Sequence, residues 1–230
     1  HLGYKGYPEF QNALEELVRN KLNSIQRMEV TYGRISQSQI LESVLHSDAD
    51  KINTTLEKID QEAFEIAVNT ILNAKHIYII GIRSCAPLAS FMAFYFNLMF
   101  DNVHLLQTSS SSEIFEQMVR IGKDDVIIGI SFPRYSKDTI NAVRFAKSRG
   151  VEIVAITDQE QSPVAQMSAA ALLAPSEMLS FIDSMTAPLS LINALLVGIA
   201  TKMGTDVTET FSTLESLWDQ YGVFGGADDE

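Results

Sequence analysis

Positions 131–139, Ser-Phe-Pro-Arg-Tyr-Ser-Lys-Asp-Thr, follow directly on the apolar run Asp-Val-Ile-Ile-Gly-Ile. Within them Ser131, Ser136 and Thr139 offer hydroxyls, Arg134 a guanidinium, and Tyr135 and Lys137 further donors. Hydroxyls and one fixed cation, joined to the free N–H groups at a helix start, suit an anion such as phosphate. Two further runs are of the same kind: Gly-Ile-Arg-Ser-Cys-Ala at 81–86 and Gln-Thr-Ser-Ser-Ser-Ser-Glu at 107–113. A plainer reading stands beside this one. Ser136 or Asp138 suits the cap of the helix that follows, and Ser109 to Ser112 suit a cap with a loop. For any single serine the two readings are equally expected. What favours binding is that three such runs end three neighbouring strands.

The rhythm of the chain after Lys75 supplies those strands. His-Ile-Tyr-Ile-Ile-Gly-Ile, Asn-Val-His-Leu-Leu-Gln-Thr, Asp-Val-Ile-Ile-Gly-Ile-Ser, Glu-Ile-Val-Ala-Ile-Thr-Asp and Ala-Ala-Leu-Leu-Ala-Pro read as strands. Helical patterns lie between them, at 86–100, 112–122, 136–150 and, briefly, 162–167. Alternating strands and helices with right-handed crossovers predict a three-layer α/β/α sandwich around a five-stranded parallel sheet. Strand runs apolar throughout fit strands buried on both faces. In such sheets ligands bind beyond the carboxyl ends of the strands, where these polar runs fall. The remaining expectations are helical: 8–28, 37–45, with Ser36 as cap, 47–57, 60–74 with Asp60 as cap, 183–203 and the segment from Thr213. The helix 86–100 is apolar nearly all round, which predicts cover on both sides, by the N-terminal helices or by a second subunit in a symmetric dimer.

Several classes are disfavoured. With 17 basic and 29 acidic residues the net charge is −12, which suits this chain, taken alone, poorly to nucleic acid. Its single cysteine, Cys85, excludes an internal disulfide and fits a reducing, cytoplasmic setting. No signal peptide is expected, and the late apolar stretch Ala-Pro-Leu-Ser-Leu-Ile-Asn-Ala-Leu-Leu-Val-Gly-Ile-Ala is too short and interrupted to span a bilayer. A start at His1 reads as a fragment without its natural beginning. No Gly-x-Gly-x-x-Gly fingerprint, P-loop or metal spacing is present, so no cofactor or metal is expected. His76 and His104 fall at the amino ends of strands, on the far edge from the site, and Cys85 reads as core.

Taken together, Ile-Tyr-Ile-Ile-Gly-Ile-Arg-Ser-Cys-Ala-Pro-Leu-Ala and the segment from Asp125 to Ala165 resemble the sugar isomerase (SIS) domain, and more closely the RpiR/MurR family of bacterial transcriptional regulators. The resemblance implies phosphosugar binding through loop hydroxyls, here Ser131, Ser136 and Thr139 with Ser109, and Arg134 and Tyr135 in a variant loop. It implies a site close to a dimer interface. Many relatives carry Gly-x-Gly-x-Ser in the first loop; here Arg83 stands at the second glycine and Cys85 at the serine, so Ser84 is expected to take over the hydroxyl role and Arg83 to add charge. Leu-Gly-Tyr-Lys-Gly-Tyr-Pro-Glu-Phe resembles the end of a helix-turn-helix domain. The implied organisation is the end of that domain at 1–30, a helical linker at 31–60, an SIS domain at 61–205 and a C-terminal helix and tail at 206–230.

The expected function is therefore an effector-sensing domain that binds a phosphosugar and modulates DNA binding by the intact regulator, as a homodimer or higher homo-oligomer with no membrane partner. The alternative is an aldose–ketose phosphosugar isomerase, which needs a base beside the carbonyl. Glu177 is its first candidate and Asp183 its second. Nucleotide binding on a flavodoxin-like sheet is a third and weaker reading.

Overall fold

A computed structural model of the 230-residue chain describes residues 23–31, 37–107, 110–176 and 181–224, together with Gly6. Five strands form the sheet: β1 (Ile77–Gly81), β2 (Val103–Leu105), β3 (Val126–Ile130), β4 (Glu152–Thr157) and β5 (Ala170–Leu173). Their order is β2-β1-β3-β4-β5, and every neighbouring pair is parallel. The helices are α1 (Ser24–Thr31), α2 (Ile40–Lys58), α3 (Gln61–Leu72), α4 (Ala86–Met99), α5 (Ser111–Gln117), α6 (Lys137–Ser148), α7 (Thr186–Met203) and α8 (Thr205–Tyr221).

Side-chain alternation along the strands divides the core in two. Ile77, Ile79, Val126, Ile128, Ile130, Val154 and Ile156 pack with α3, α4 and α7 on one face. Tyr78, Ile80, Ile127, Ile153 and Ala155 pack with α5 and α6 on the other. The expected three-layer α/β/α sandwich with a five-stranded parallel sheet is what the chain forms. β1 and β3 are buried along their whole length, which is why they read as unbroken apolar runs. β1 sends its following helix to one face and β3 to the other, so a crevice opens between their carboxyl ends.

The helical expectations are corrected at several points. Residues 37–58 form a single-residue-step continuation from a 3-10 turn at Gln37–Gln39 into one helix, α2, rather than two. Ser47 does not start a new helix because its hydroxyl and carbonyl both accept from the Lys51 ammonium, one turn on. The expected helix 8–28 lies mostly outside the described residues. Within them, a helix runs from Ser24, where the Gln26 amide donates to Asn23 Oδ1 and the Asn23 amide to Gln26 Oε1, a reciprocal cap. Ser36 also lies outside the described residues. The helix expected at 112–122 ends at Gln117, the short one at 162–167 is a 3-10 turn at Ala165–Met167, and the closing helix begins at Thr186, which leaves Asp183 in the loop. Asp60 caps α3 as expected, accepting from the Glu62 and Ala63 amides.

Two apolar helices need an account. α7 is long and apolar enough, by length and composition, to cross a membrane. Its Ala187, Leu191, Ile192, Leu195 and Ile199 are buried in the core, so packing accounts for that composition. α4 lays Leu88, Met92 and Phe96 on the sheet, and its flank is covered by α7 and α8 of the same chain. Phe94 and Tyr95 remain at the surface, 60% and 39% exposed.

Candidate functional site

Loop 131–136 is held from below by the neighbouring strand. The Ser131 amide donates to the Ile156 carbonyl at 3.1 Å, and the Thr157 hydroxyl donates to the Ser131 carbonyl at 2.7 Å. With both backbone groups engaged, only the side chain of Ser131 is left to bind anything. Ser131 is 1% exposed and Thr139 fully buried, and neither hydroxyl has a hydrogen-bond partner among the described residues. A buried hydroxyl without a partner costs about 1–3 kcal/mol. Two of them bracket one loop at the carboxyl edge, and a ligand oxygen would satisfy each.

The helix starts here are open as well. Ser136 stands at the N-cap of α6, and its side chain makes no capping hydrogen bond. The N-caps of α4 (Cys85) and α5 (Ser110) likewise lack one. The first-turn N–H groups of a helix have no intrahelical partner, and together with the dipole they favour an anion. The capping explanation of Ser136 therefore fails on geometry.

The other sequence candidates divide. Arg134 is exposed, and its Nη1 donates to Ser24 Oγ at 3.3 Å, a contact with α1. Tyr135 donates its hydroxyl to Asp158 Oδ1 at 2.8 Å and accepts from Gln159 Nε2 at 3.1 Å, so it braces this loop against the one after β4. Burial raises the Asp158 carboxyl above its ordinary value against the pull of Tyr135, its own backbone, Thr157 and Gln159. Asp183 stands before α7, 3.6 Å from Arg27 Nη1. Burial raises its carboxyl too, outweighing the opposing Arg27 and Arg134 guanidinium groups. Ser109 and Glu177 lie outside the described residues. Arg27 was missed by sequence reasoning, because nothing in a short helix before the sheet marks one arginine as facing a residue 156 positions later.

The first loop approaches the third closely. A side chain at Gly81 would stand 2.7 Å from the Cys85 carbonyl, so glycine alone lets the turn fold back on the strand end. Arg83 adopts φ of +60°, the left-handed region, at the position where the family resemblance places glycine. Ser84 is exposed, and its hydroxyl reaches the Cys85 sulfur. Cys85 is 5% exposed, and burial pushes its thiol up to about 11, against hydrogen bonds from the Phe132 backbone and Ser84 and with a smaller push from Asp183. Among the described residues no group of His, Cys, Asp and Glu is placed to hold a metal ion. His76 and His104 lie near Tyr78, toward the amino end of β1, away from these loops.

Arg83→Gly relieves a left-handed side chain and is expected to raise unfolding stability by about 1 kcal/mol in a denaturant titration. Cys85 is expected to resist iodoacetamide at pH 8: a thiol raised from 9.0 to about 11 has roughly a hundredfold less thiolate, and alkylation of the native chain should lag the unfolded chain by at least that factor.

Residues 70–198 match the SIS domain family. An HTH-type transcriptional regulator of Clostridium perfringens is 28% identical over 169 residues, which is 73% of this chain and 59% of that protein. The chain spans between 57% and 60% of the length of the curated regulators it matches. The sugar isomerase domain of an RpiR transcription factor from Sphaerobacter thermophilus superposes with a TM-score of 0.73 at 27% identity, over 77% of this chain and 99% of that one. The NanR protein of Vibrio vulnificus, solved in complex with ManNAc-6P, has a TM-score of 0.69 at 18% identity, over 97% of this chain and 78% of that one, a likeness of fold. Phosphosugar isomerases share that fold as well. The family match covers more than half of the chain, in the strands and loops that build the site: this chain belongs to the SIS domain family.

Proposed function

We propose that this chain is the effector-sensing part of a bacterial transcriptional regulator, in which a phosphosugar binds at the carboxyl edge of the sheet and modulates DNA binding by the intact protein. The observation that carries this reading is a pair of buried hydroxyls without a hydrogen-bond partner among the described residues, Ser131 on a strand end whose backbone is already pinned and Thr139 in the first turn of α6. The phosphate sits against that loop and the first turn of α6, with Arg134 supplying charge and Ser84, Ser109 and Ser136 further hydroxyls. Tyr135 sets the shape of the loop through Asp158. The similarity to HTH-type regulators and to an RpiR factor favours sensing over catalysis. DNA contact belongs to the helix-turn-helix domain ending at about residue 30, with the linker at 31–60, the SIS domain at 61–205 and the C-terminal helix and tail after it. The regulator works in the cytoplasm as a homodimer. The apolar residues left at the surface of α2 and α4, among them Leu41, Leu45, Leu56 and Phe94, support self-association.

Asp183 supports a second reading, isomerisation, because a carboxyl held above its ordinary value at this edge is a usable base. Calorimetry and a thermal-shift series with hexose and pentose phosphates test both readings. A ligand at a hundred times its dissociation constant stabilises by about 2.7 kcal/mol. Ser131→Ala and Thr139→Ala are expected to weaken binding about tenfold without destabilising the unliganded chain, since each removes a buried hydroxyl that is costly to leave unpaired. Unchanged affinity in both variants would falsify the site. Turnover of the bound sugar, abolished by Glu177→Gln or Asp183→Asn, would replace sensing with isomerisation. Light scattering is expected to give a dimer at micromolar concentration, and a monomer removes the self-association.

A further inference from the structure

α1 lies ahead of the SIS domain, yet it meets the site through two side chains one turn apart. Ser24 accepts from Arg134, and Arg27 faces Asp183. Spaced i, i+3, the two share one face of the helix. The Arg27 side chain is 9% exposed and that of Asp183 17%, so this is a largely buried ion pair at the seam between α1 and the loop before α7. The same loop is fastened to α2: Ser184 and Thr186 both donate to the Asp48 carboxylate, the latter at 3.0 Å, and the Lys51 ammonium stands 3.9 Å from it. α1 and α2 therefore both grip residues 183–186. Asp183 is within electrostatic reach of Arg27 and of Arg134, so one carboxylate serves two guanidinium groups. Among the described residues Arg134 has no carboxylate within 4.0 Å.

We propose that Ser24 and Arg27 form a wall of the sugar-phosphate site, and that a bound phosphomonoester competes with Asp183 for the Arg27 and Arg134 guanidinium groups, so that α1 registers occupancy. This rests on the phosphosugar reading above. A phosphomonoester carries about −1.5 to −2 charge and three strong acceptors, and it matches two guanidinium forks better than one shared carboxylate does. Exchange moves Arg27 from its long ion pair with Asp183 to charge-assisted hydrogen bonds with the ligand, and α1 is held more tightly. Arg134 turns from Ser24 to the same anion. The ligand thereby links the loop after β3 directly to the helix that leads toward the DNA-binding end.

Amide hydrogen exchange and calorimetry on the full 230-residue chain test this. The probes are N-acetylmannosamine 6-phosphate, fructose 6-phosphate, arabinose 5-phosphate and inorganic phosphate. In the wild type, saturating sugar phosphate is expected to slow exchange of the α1 amides at residues 28–31 by at least about fivefold. Arg27→Gln is expected to abolish that protection and weaken binding about tenfold, whereas Arg120→Gln, on the exposed surface, changes neither. Asp183→Asn is the decisive variant: removing the competitor tightens binding severalfold, while a merely structural Asp183 would weaken it. Binding with unchanged α1 exchange, or a weaker Asp183→Asn complex, overturns the competition and leaves the phosphosugar site standing. Absence of binding by any probe to the wild type overturns both.

Discussion

Burial of β1, β3 and β4 on both faces is the constraint on which the rest depends. Parallel strands wrapped by helices must end along one edge, and the chain must leave that edge by short turns into helix N-termini. Helix starts bring unpaired N–H groups with them, and a turn between a buried strand and a packed helix has little room for large side chains. Gly81 against the Cys85 carbonyl and Ser131 under Thr157 are consequences of that geometry. The site is thus less a feature added to the fold than the place where the sheet's hydrogen bonding ends.

Within this edge the chain spends its polar groups unevenly. Tyr135, Asp158, Gln159 and Thr157 bond to one another and join the third loop to the fourth. Ser131 and Thr139, at either end of the same segment, have no hydrogen-bond partner among the described residues. A rigid frame around unsatisfied hydroxyls is preorganised: the ligand need not order the loop before it binds.

What could be read from residues alone follows the same division. β1 and β3 announce themselves because strands buried on both faces carry no polar positions, and α3 because Asp60 precedes its apolar stripe. The run at 131–139 stood out as a candidate because its donors exceed what a turn needs. Helix ends were harder, since the cap at Asn23 and the continuity of α2 through Ser47 depend on local hydrogen bonds that compete with equally good caps. The commitment of Tyr135 to Asp158, and the reach of Arg27 to Asp183, join residues far apart in sequence. No periodicity carries such pairs.

Arg83 holds a backbone conformation that glycine would adopt without strain. The turn there is dictated by its neighbours, with Gly81 folded back on Cys85 and the Phe132 backbone against the thiol. Its path does not depend on which side chain sits at position 83. Exchange between arginine and glycine therefore changes the charge at the mouth of the site while the loop keeps its course. If the proposed phosphosugar site holds, position 83 is a point where descendants of one protein can shift toward a more or less anionic ligand by a single substitution, without first evolving a new backbone.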